Sequence, residues 1–158
     1  MPEIVIAEFM DETAVERLCR RHDTLYDATL VDRPDALAAA LAEARVLVVR
    51  NRTQVRGALL AAAARLEMVG RLGVGLDNID LAACAARAIA VVPANGANDL
   101  SVAEYVITTA MALLRGAYAA SGDVAAGAWP RQSLIGRELS GRTIGLVGYG
   151  AIAREVAA

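Results

Sequence analysis

The sequence contains no lysine, and several other chemically useful residue types are scarce. All 16 basic residues are arginines, and among the 158 residues there are one histidine, two cysteines, one phenylalanine and one tryptophan. Without lysine, Schiff-base chemistry on a lysine side chain is excluded. Acidic and basic residues nearly balance, with a formal net charge of −2. The composition therefore gives no indication of a nucleic-acid or anionic-membrane surface.

Long apolar runs and paired cysteines are also missing. Hydrophobic residues make up 56% of the chain, yet no run reaches the roughly 18–20 uninterrupted apolar residues of a membrane span. The first eight residues include an acidic side chain at position 3 and no basic one, which is not the pattern of a signal peptide. Cys19 and Cys84 are far apart and are expected to be reduced thiols. These features together predict a cytoplasmic protein.

Short apolar runs alternate with helical patterns over the first 93 residues. The runs that predict strands are residues 4–7, 24–26, 46–49, 68–72 and 89–92. Helices are predicted from a cap at Asp11 or Thr13 to about residue 21, after Asp32 with Pro34 in the first turn to residue 44, and over residues 55–66 and 81–87. This alternation predicts an α/β fold, namely a flavodoxin-like, doubly wound parallel sheet with helices on both faces. Ligands of such sheets bind at the carboxyl ends of the strands.

A longer helix and a further strand are predicted after this unit. Ser101 is expected to cap the helix, because Glu104 stands at the capping-box spacing, and the helical pattern runs to about Ala120. Residues 122–141 are predicted to be a loop. Thr143–Val147 is an apolar run that predicts a sixth strand.

A glycine turn follows the sixth strand, where residues 148–153 read Gly-Tyr-Gly-Ala-Ile-Ala and fit the pattern G-x-G-x-x-G/A. Gly148 allows a tight turn, Gly150 lets the backbone approach a pyrophosphate, and Ala153 is small enough for helix and strand to pack closely. The alternative is an ordinary strand–turn–helix that uses its glycines for packing only. We expect the chain to end inside the opening of a dinucleotide-binding unit.

Six segments of the chain form a further pattern. They are Val48–Arg52, Val69–Asp80, Asn95–Glu104, Trp129–Arg131, Gly136–Leu139 and Gly141–Gly145. In this order the chain resembles the D-isomer-specific 2-hydroxyacid dehydrogenases, the family of phosphoglycerate, glyoxylate/hydroxypyruvate and D-lactate dehydrogenases. The resemblance covers almost the whole chain, and Gly70–Asp80 is its most specific part.

The resemblance implies a two-domain enzyme. Residues 1–97 would form the flavodoxin-like substrate domain. Residues 98–158 would form the linking helix, the first strand and the glycine turn of a Rossmann NAD-binding domain that is incomplete in this chain. NAD is the implied cofactor, and NADP stays open, because the acidic residue that binds the ribose 2′-hydroxyl stands about 20 residues beyond the turn. The family also implies a homodimer formed through the helix of residues 101–120 and the nucleotide domain.

The resemblance assigns roles to particular residues. Those implied to bind substrate are Arg50, Val74, Gly75 and Asn98, with Arg50 facing an acid group and the loop of residues 73–75 offering its N–H groups to a carboxylate. Those implied to bind the cofactor are Val74, Ser101, Gly148, Gly150, Ala151 and Ile152. The alternatives are a surface arginine at position 50, a plain turn at 73–75, caps at 98 and 101, and packing at 152.

The catalytic groups of the family have no counterpart among these residues. The resemblance implies an arginine, an acidic residue and a histidine further along the chain, and no metal site is expected. His22 follows a basic helix end and is interpreted as a solvated, helix-terminal residue. Asp77, Asn78 and Asp80 are interpreted as turn and cap residues rather than catalytic ones.

The leading hypothesis is an oxidoreductase that transfers a hydride between a nicotinamide cofactor and C2 of a D-2-hydroxy or 2-keto acid. Phosphoglycerate, hydroxypyruvate and sulfolactate represent the substrate class. The segment Glu8–Glu12 and the pair Arg50 and Arg52 resemble sulfolactate dehydrogenases, and a second cation suits a second acidic group. A small acid is thus the expected partner, without nucleic acid or membrane. The alternatives are an NAD(H)-sensing module that controls assembly, and an inactive fragment of such an enzyme.

Overall fold

The computed structural model describes residues 2–158, which form two compact units that divide between Asn95 and Gly96. The first unit contains a parallel sheet of five strands. The strands are β1 (Ile4–Ile6), β2 (Thr24–Tyr26), β3 (Val46–Val49), β4 (Met68–Arg71) and β5 (Ala90–Pro93). Each strand lies within one residue of its predicted position, because short apolar runs between turn residues are a local signal.

The strands lie side by side in the order β2-β1-β3-β4-β5, and every neighbouring pair is parallel. This order confirms the prediction of a flavodoxin-like, doubly wound α/β sheet. β3 lies at the centre, where an unbroken run of valine and leucine can pack on both faces. The carboxyl ends of β1, β3 and β4 are therefore adjacent, and the segments that follow these strands begin at one edge of the sheet.

Helices cover both faces of the sheet. They are α1 (Glu12–Cys19), α2 (Pro34–Leu41), α3 (Gly57–Ala62) and α4 (Leu81–Ala86). On one face, buried strand residues such as Leu47 and Val69 pack with Leu41 of α2 and Cys84 of α4. Burial raises the pKa of the Cys84 thiol, so this cysteine is protonated at neutral pH. On the other face, Ile4, Ile6 and Val48 pack with Val15 of α1 in a smaller cluster.

Several helix ends in the first unit differ from the predictions. Asp11 rather than Thr13 caps α1, and its carboxylate accepts the N–H of Ala14 at 3.1 Å. Asp32 precedes α2 and Pro34 stands in its first turn, as predicted, but α2 ends at Leu41 rather than at residue 44. α3 is shorter than predicted at both ends.

The second unit contains the helices α5 (Asp99–Arg115), α6 (Ser121–Ala125) and α7 (Ala151–Ala157). α5 begins before Ser101, so the capping box predicted at Ser101 is wrong. α5 ends at Arg115 rather than near residue 120, because Gly116 adopts a left-handed conformation with φ of +65°. α6 occupies part of the predicted loop. Among residues 2–158, no helix is both long and apolar enough to cross a membrane.

The predicted sixth strand does not form. Thr143–Val147 has no strand partner in the part of the chain that the structure describes. Val147 is fully exposed, with a relative accessibility of 108%. An apolar run of this kind needs neighbouring strands to satisfy its backbone N–H and C=O groups. The sequence pattern of a strand is present, but the described residues supply no second strand to pair with it.

Candidate functional site

A buried carboxylate follows β1. Glu8 is 4% exposed. Its Oε1 accepts the backbone N–H groups of Arg50 and Thr53, both at 2.9 Å, and its Oε2 accepts that of Arg52 at 3.2 Å. Burial alone raises the pKa of this carboxyl group, but the donors from residues 50–53 outweigh burial and hold the pKa below its ordinary value. Glu8 is therefore ionised at neutral pH and fixes the backbone that follows β3.

We call residues 50–53 the arginine loop. The exposed Arg50 guanidinium lies 5.6 Å from the centre of the Phe9 ring, within cation–π range. Within residues 2–158, no carboxylate lies within ion-pair distance of Arg50. Arg52, by contrast, pairs with Asp32, with Nη1 and Oδ2 3.4 Å apart and a shorter contact between Nη2 and Oδ1. The loop thus presents one unpaired cation and one that already holds an exposed carboxylate.

We call residues 73–75 the glycine loop, which leaves the sheet beside the arginine loop because β4 pairs with β3. The N–H of Gly73 donates to the carbonyl oxygen of Arg71 at 2.8 Å. In the described part of the chain, the N–H groups of Val74 and Gly75 have no protein acceptor. Adjacent N–H groups without acceptors in an exposed loop are suited to binding an anion.

Arg71, the last residue of β4, also lies at this edge, although it was not named as a site residue from the sequence. Its guanidinium lies over Gly73, where φ is +156° and a Cβ would stand 2.1 Å from Nη1 of Arg71. The buried Nε of Arg71 has no hydrogen-bond partner among residues 2–158. The available sequence signal was an arginine at a strand end directly before a glycine loop. Arg71 adds positive charge at the edge where Arg50 also lies.

Asn78, which follows the glycine loop along the chain, bonds to the arginine loop. It is 5% exposed, and its Nδ2 donates to the carbonyl oxygens of Thr53 at 2.8 Å and Arg50 at 3.1 Å. The backbone carbonyl oxygen of Asn78 accepts the N–H of Val55 at 2.8 Å. The cap of α4 is instead Asp80, as expected, with its carboxylate accepting the N–H of Ala83. The arginine loop is therefore held by Glu8 through its N–H groups and by Asn78 through its carbonyl groups.

His22, the only histidine, lies away from this edge. It follows α1, and its Nδ1 is 3.2 Å from Oε2 of Glu3, which directly precedes β1. This contact is at the amino end of the strand, whereas Glu8 and the arginine loop lie at the carboxyl end of the sheet. Among the described residues, no group of three or more histidine, cysteine, aspartate or glutamate side chains is arranged to hold a metal ion.

The predicted site residues of the second unit lie at two helix starts. Asn98 and Ser101 are exposed at the beginning of α5, and the Asn98 side chain makes no capping hydrogen bond. Gly148 has φ of +90°, a conformation that favours glycine. Gly150 directly precedes α7, whose first residues are Ala151 and the half-buried Ile152.

Two models of protein families match the sequence. Residues 4–129 match the model described as D-isomer specific 2-hydroxyacid dehydrogenase, catalytic domain, and residues 107–158 match that described as D-isomer specific 2-hydroxyacid dehydrogenase, NAD binding domain. The chain belongs to the D-isomer-specific 2-hydroxyacid dehydrogenase family.

Individual relatives agree with this assignment. The chain is 54% identical over 157 residues to the (S)-sulfolactate dehydrogenase of Chromohalobacter salexigens, covering 99% of this chain and 51% of that protein. It is 39% identical to the D-3-phosphoglycerate dehydrogenase of Mycobacterium leprae, covering 100% of this chain and 30% of that protein. The solved 2-hydroxyacid dehydrogenase of Ketogulonicigenium vulgare superposes with a TM-score of 0.78 at 31% identity, covering 99% of this chain and 50% of that one. The chain therefore spans about half the length of two of these relatives and less than a third of the other.

The residues of the glycine turn fit the pyrophosphate part of the NAD that the family match implies. A Cβ built on Gly148 or Gly150 would meet no atom within 4 Å, so no described residue covers the backbone of the turn. The backbone at this turn needs glycine at the first position, as the pattern requires. The turn and the start of α7 are the part of the described chain whose residue types suit a dinucleotide phosphate.

Proposed function

We propose that the whole protein containing these residues transfers a hydride between a nicotinamide cofactor and C2 of a 2-hydroxy or 2-keto acid in the cytoplasm. The observation that carries the proposal is the edge of the sheet where Arg50 stands beside the glycine loop, since neither the Arg50 guanidinium nor the N–H groups of Val74 and Gly75 have an acceptor among residues 2–158. A guanidinium and adjacent backbone N–H groups bind carboxylates and related oxyanions well. The family match and the two dehydrogenase relatives support this chemistry.

Within this function, the residues of the first unit bind and orient the substrate. Arg50 would hold an acidic group, and the N–H groups of Val74 and Gly75 would hold the substrate carboxylate. In the second unit, Asn98 would contact substrate. The residues that would hold the cofactor are Val74, Ser101, Gly148, Gly150, Ala151 and Ile152. NAD, when bound, accepts or supplies the hydride at the nicotinamide ring.

We propose a substrate with a second acidic group, such as sulfolactate or phosphoglycerate. The support is the pair of guanidinium groups at this edge, because Arg50 and Arg71 both lack a carboxylate partner among residues 2–158. The 54% identical relative is named for sulfolactate. Arg52 can contribute only after it releases Asp32, so its contribution to the binding of a second acid group is smaller than the sequence suggested.

We further propose a division of labour between the two regions and a dimer. Residues 1–97 would form the substrate domain, and residues 98–158 would begin the nucleotide domain. A homodimer would form through α5 and the nucleotide domain. The large apolar side chains that α5 leaves exposed, which include Tyr105, Met111 and Leu113, support this proposal.

The test is turnover by the protein at the full length that its gene encodes. Oxidation of 3-sulfolactate, 3-phosphoglycerate and glycerate is compared at equal NAD concentration. Arg50→Met is expected to lower kcat/KM for the favoured diacid about 100-fold, because a charge-assisted contact worth about 2–3 kcal/mol is lost. Arg17→Met, on the exposed surface of α1, is the matched control. Highest kcat/KM on glycerate would contradict the diacid proposal, and NAD binding without turnover would favour a sensing module.

A further inference from the structure

Two buried polar side chains, Glu8 and Asn78, make five hydrogen bonds to the backbone of the arginine loop. Glu8 accepts the N–H groups of residues 50, 52 and 53, and Asn78 donates to the carbonyl groups of residues 50 and 53. Five hydrogen bonds therefore fix a loop of four residues. Such a loop has little freedom to change the direction in which Arg50 leaves the backbone.

Burial separates Glu8 and Asn78 from a direct role in binding. Glu8 is 4% exposed and Asn78 is 5% exposed, and both carboxylate oxygens of Glu8 are already occupied by loop N–H groups. An anionic substrate gains nothing from approaching a carboxylate, because like charges repel. The negative charge of Glu8 therefore weakens the binding of an anion at this edge. The benefit that compensates for it is the fixed position of the Arg50 side chain.

We propose that Glu8 and Asn78 are positioning residues for the substrate's acidic group, acting through the backbone of Arg50–Thr53. The inference rests on the proposed function, since it assumes that Arg50 binds an acid group. Asn78 belongs to the segment that leads from the glycine loop to α4, so its hydrogen bonds join the arginine loop to the segment that follows the glycine loop.

Glu8→Gln tests the proposal through the sign of its effect. The replacement removes a negative charge near the site, which by electrostatics alone strengthens the binding of an anion. It also turns the amide NH₂ group toward the N–H of Arg52, which releases one end of the loop. Positioning therefore predicts that the Kd for 3-sulfolactate rises about five- to tenfold, whereas simple electrostatics predicts that it falls. Glu12→Gln, the same change on the exposed start of α1, should leave the Kd unchanged.

The measurement is a titration of the full-length protein with 3-sulfolactate, combined with amide hydrogen exchange. In Glu8→Gln, exchange should accelerate at least tenfold for the amides of Arg52 and Thr53 while those of Val5 and Leu47 in the sheet stay protected. Glu8→Asp, which keeps the charge with a shorter reach, should recover part of both effects. Asn78→Ala loosens the loop from its other side, provides a second route if Glu8→Gln does not fold, and should raise the Kd similarly.

Two results would overturn the proposal. One is an unchanged or lower Kd in both Glu8→Gln and Asn78→Ala when the wild type binds 3-sulfolactate. The other is a uniform loss of exchange protection across the sheet, which would assign these side chains to general stability. A wild type that does not bind 3-sulfolactate or 3-phosphoglycerate would instead contradict the proposed substrate class, and the exchange pattern would still test whether Glu8 orders the loop.

Discussion

At the residue scale, Glu8 places a negative charge in a buried position, which is costly unless the charge is compensated. Three backbone N–H groups supply the compensation, and they also lower the pKa of the carboxyl group against the opposing effect of burial. A group whose pKa is lower in the folded state stabilises the fold fully above its unfolded pKa. This stabilisation is lost as the pH falls through the folded pKa.

The first prediction follows from this linkage. Glu8→Gln should lower the free energy of unfolding of the first unit by about 2 kcal/mol at pH 7, because one N–H donor loses its acceptor. The difference from wild type should begin to shrink as the pH falls below the ordinary pKa of 4.5, where the carboxyl group of the unfolded chain takes up a proton while that of the folded chain is still ionised. Urea unfolding followed through the amide signal of Leu47 between pH 7 and pH 3.5 measures it. A difference independent of pH would contradict the explanation, and Glu12→Gln provides the control.

The residue scale also sets the limit of prediction from sequence. The roles of Arg50, Val74 and Gly75 were predicted because the segments that contain them resemble those of the family and follow runs that predict strands, which are local signals. The importance of Glu8 and Asn78 was missed because their partners lie far along the chain. Glu8 bonds to residues 42 to 45 positions away, and Asn78 to residues 25 and 28 positions away. Only the parallel pairing of β1, β3 and β4 brings them together.

At the scale of elements, the strands and the sheet order were predictable, and the helix starts were less so. The β-α alternation and its short loops restrict a parallel sheet to few topologies, so the order of five strands followed from pattern alone. The residue that caps a helix is harder to predict, because several polar residues stand close together before a helix. The segment Asn98–Ser101 offers three candidate caps, and the structure begins α5 at Asp99 without a side-chain cap from Asn98.

The second prediction concerns these caps. Asp80→Ala should destabilise the first unit by about 1 kcal/mol, because the carboxylate of Asp80 accepts the N–H of Ala83 at 2.9 Å at the start of α4. Ser101→Ala should change the stability of the second unit by less than about 0.5 kcal/mol, because Ser101 is exposed within α5. Amide exchange in α4 and α5 of each variant gives both values. A loss of stability near 1 kcal/mol for Ser101→Ala would contradict this explanation and support the capping box predicted at Ser101.

At the scale of the whole molecule, the two units differ in whether their predicted strands form and pair. In the first unit, each predicted strand has a neighbour, and helices cover both faces of the sheet. In the second unit, α5 and α7 form but the run of residues 143–147 remains outside any sheet. The local pattern of strand, glycine turn and helix is present in both sequence and backbone. Its tertiary partners are absent from the described residues, which is why the strand prediction was wrong.

The last prediction follows from this unpaired run. Without sheet neighbours, the amides of Ile144 and Val147 should exchange at nearly unprotected rates, and the glycine turn should lack a rigid support for a pyrophosphate. The 158-residue chain alone should therefore bind NAD with a Kd of about 1 mM or weaker, even though no described residue covers the backbone of Gly148 and Gly150. Isothermal titration calorimetry with NAD measures the affinity, and hydrogen exchange on the same sample measures the order of the turn. Micromolar affinity together with protected amides at positions 144–147 would show that the turn is ordered by partners other than a parallel sheet.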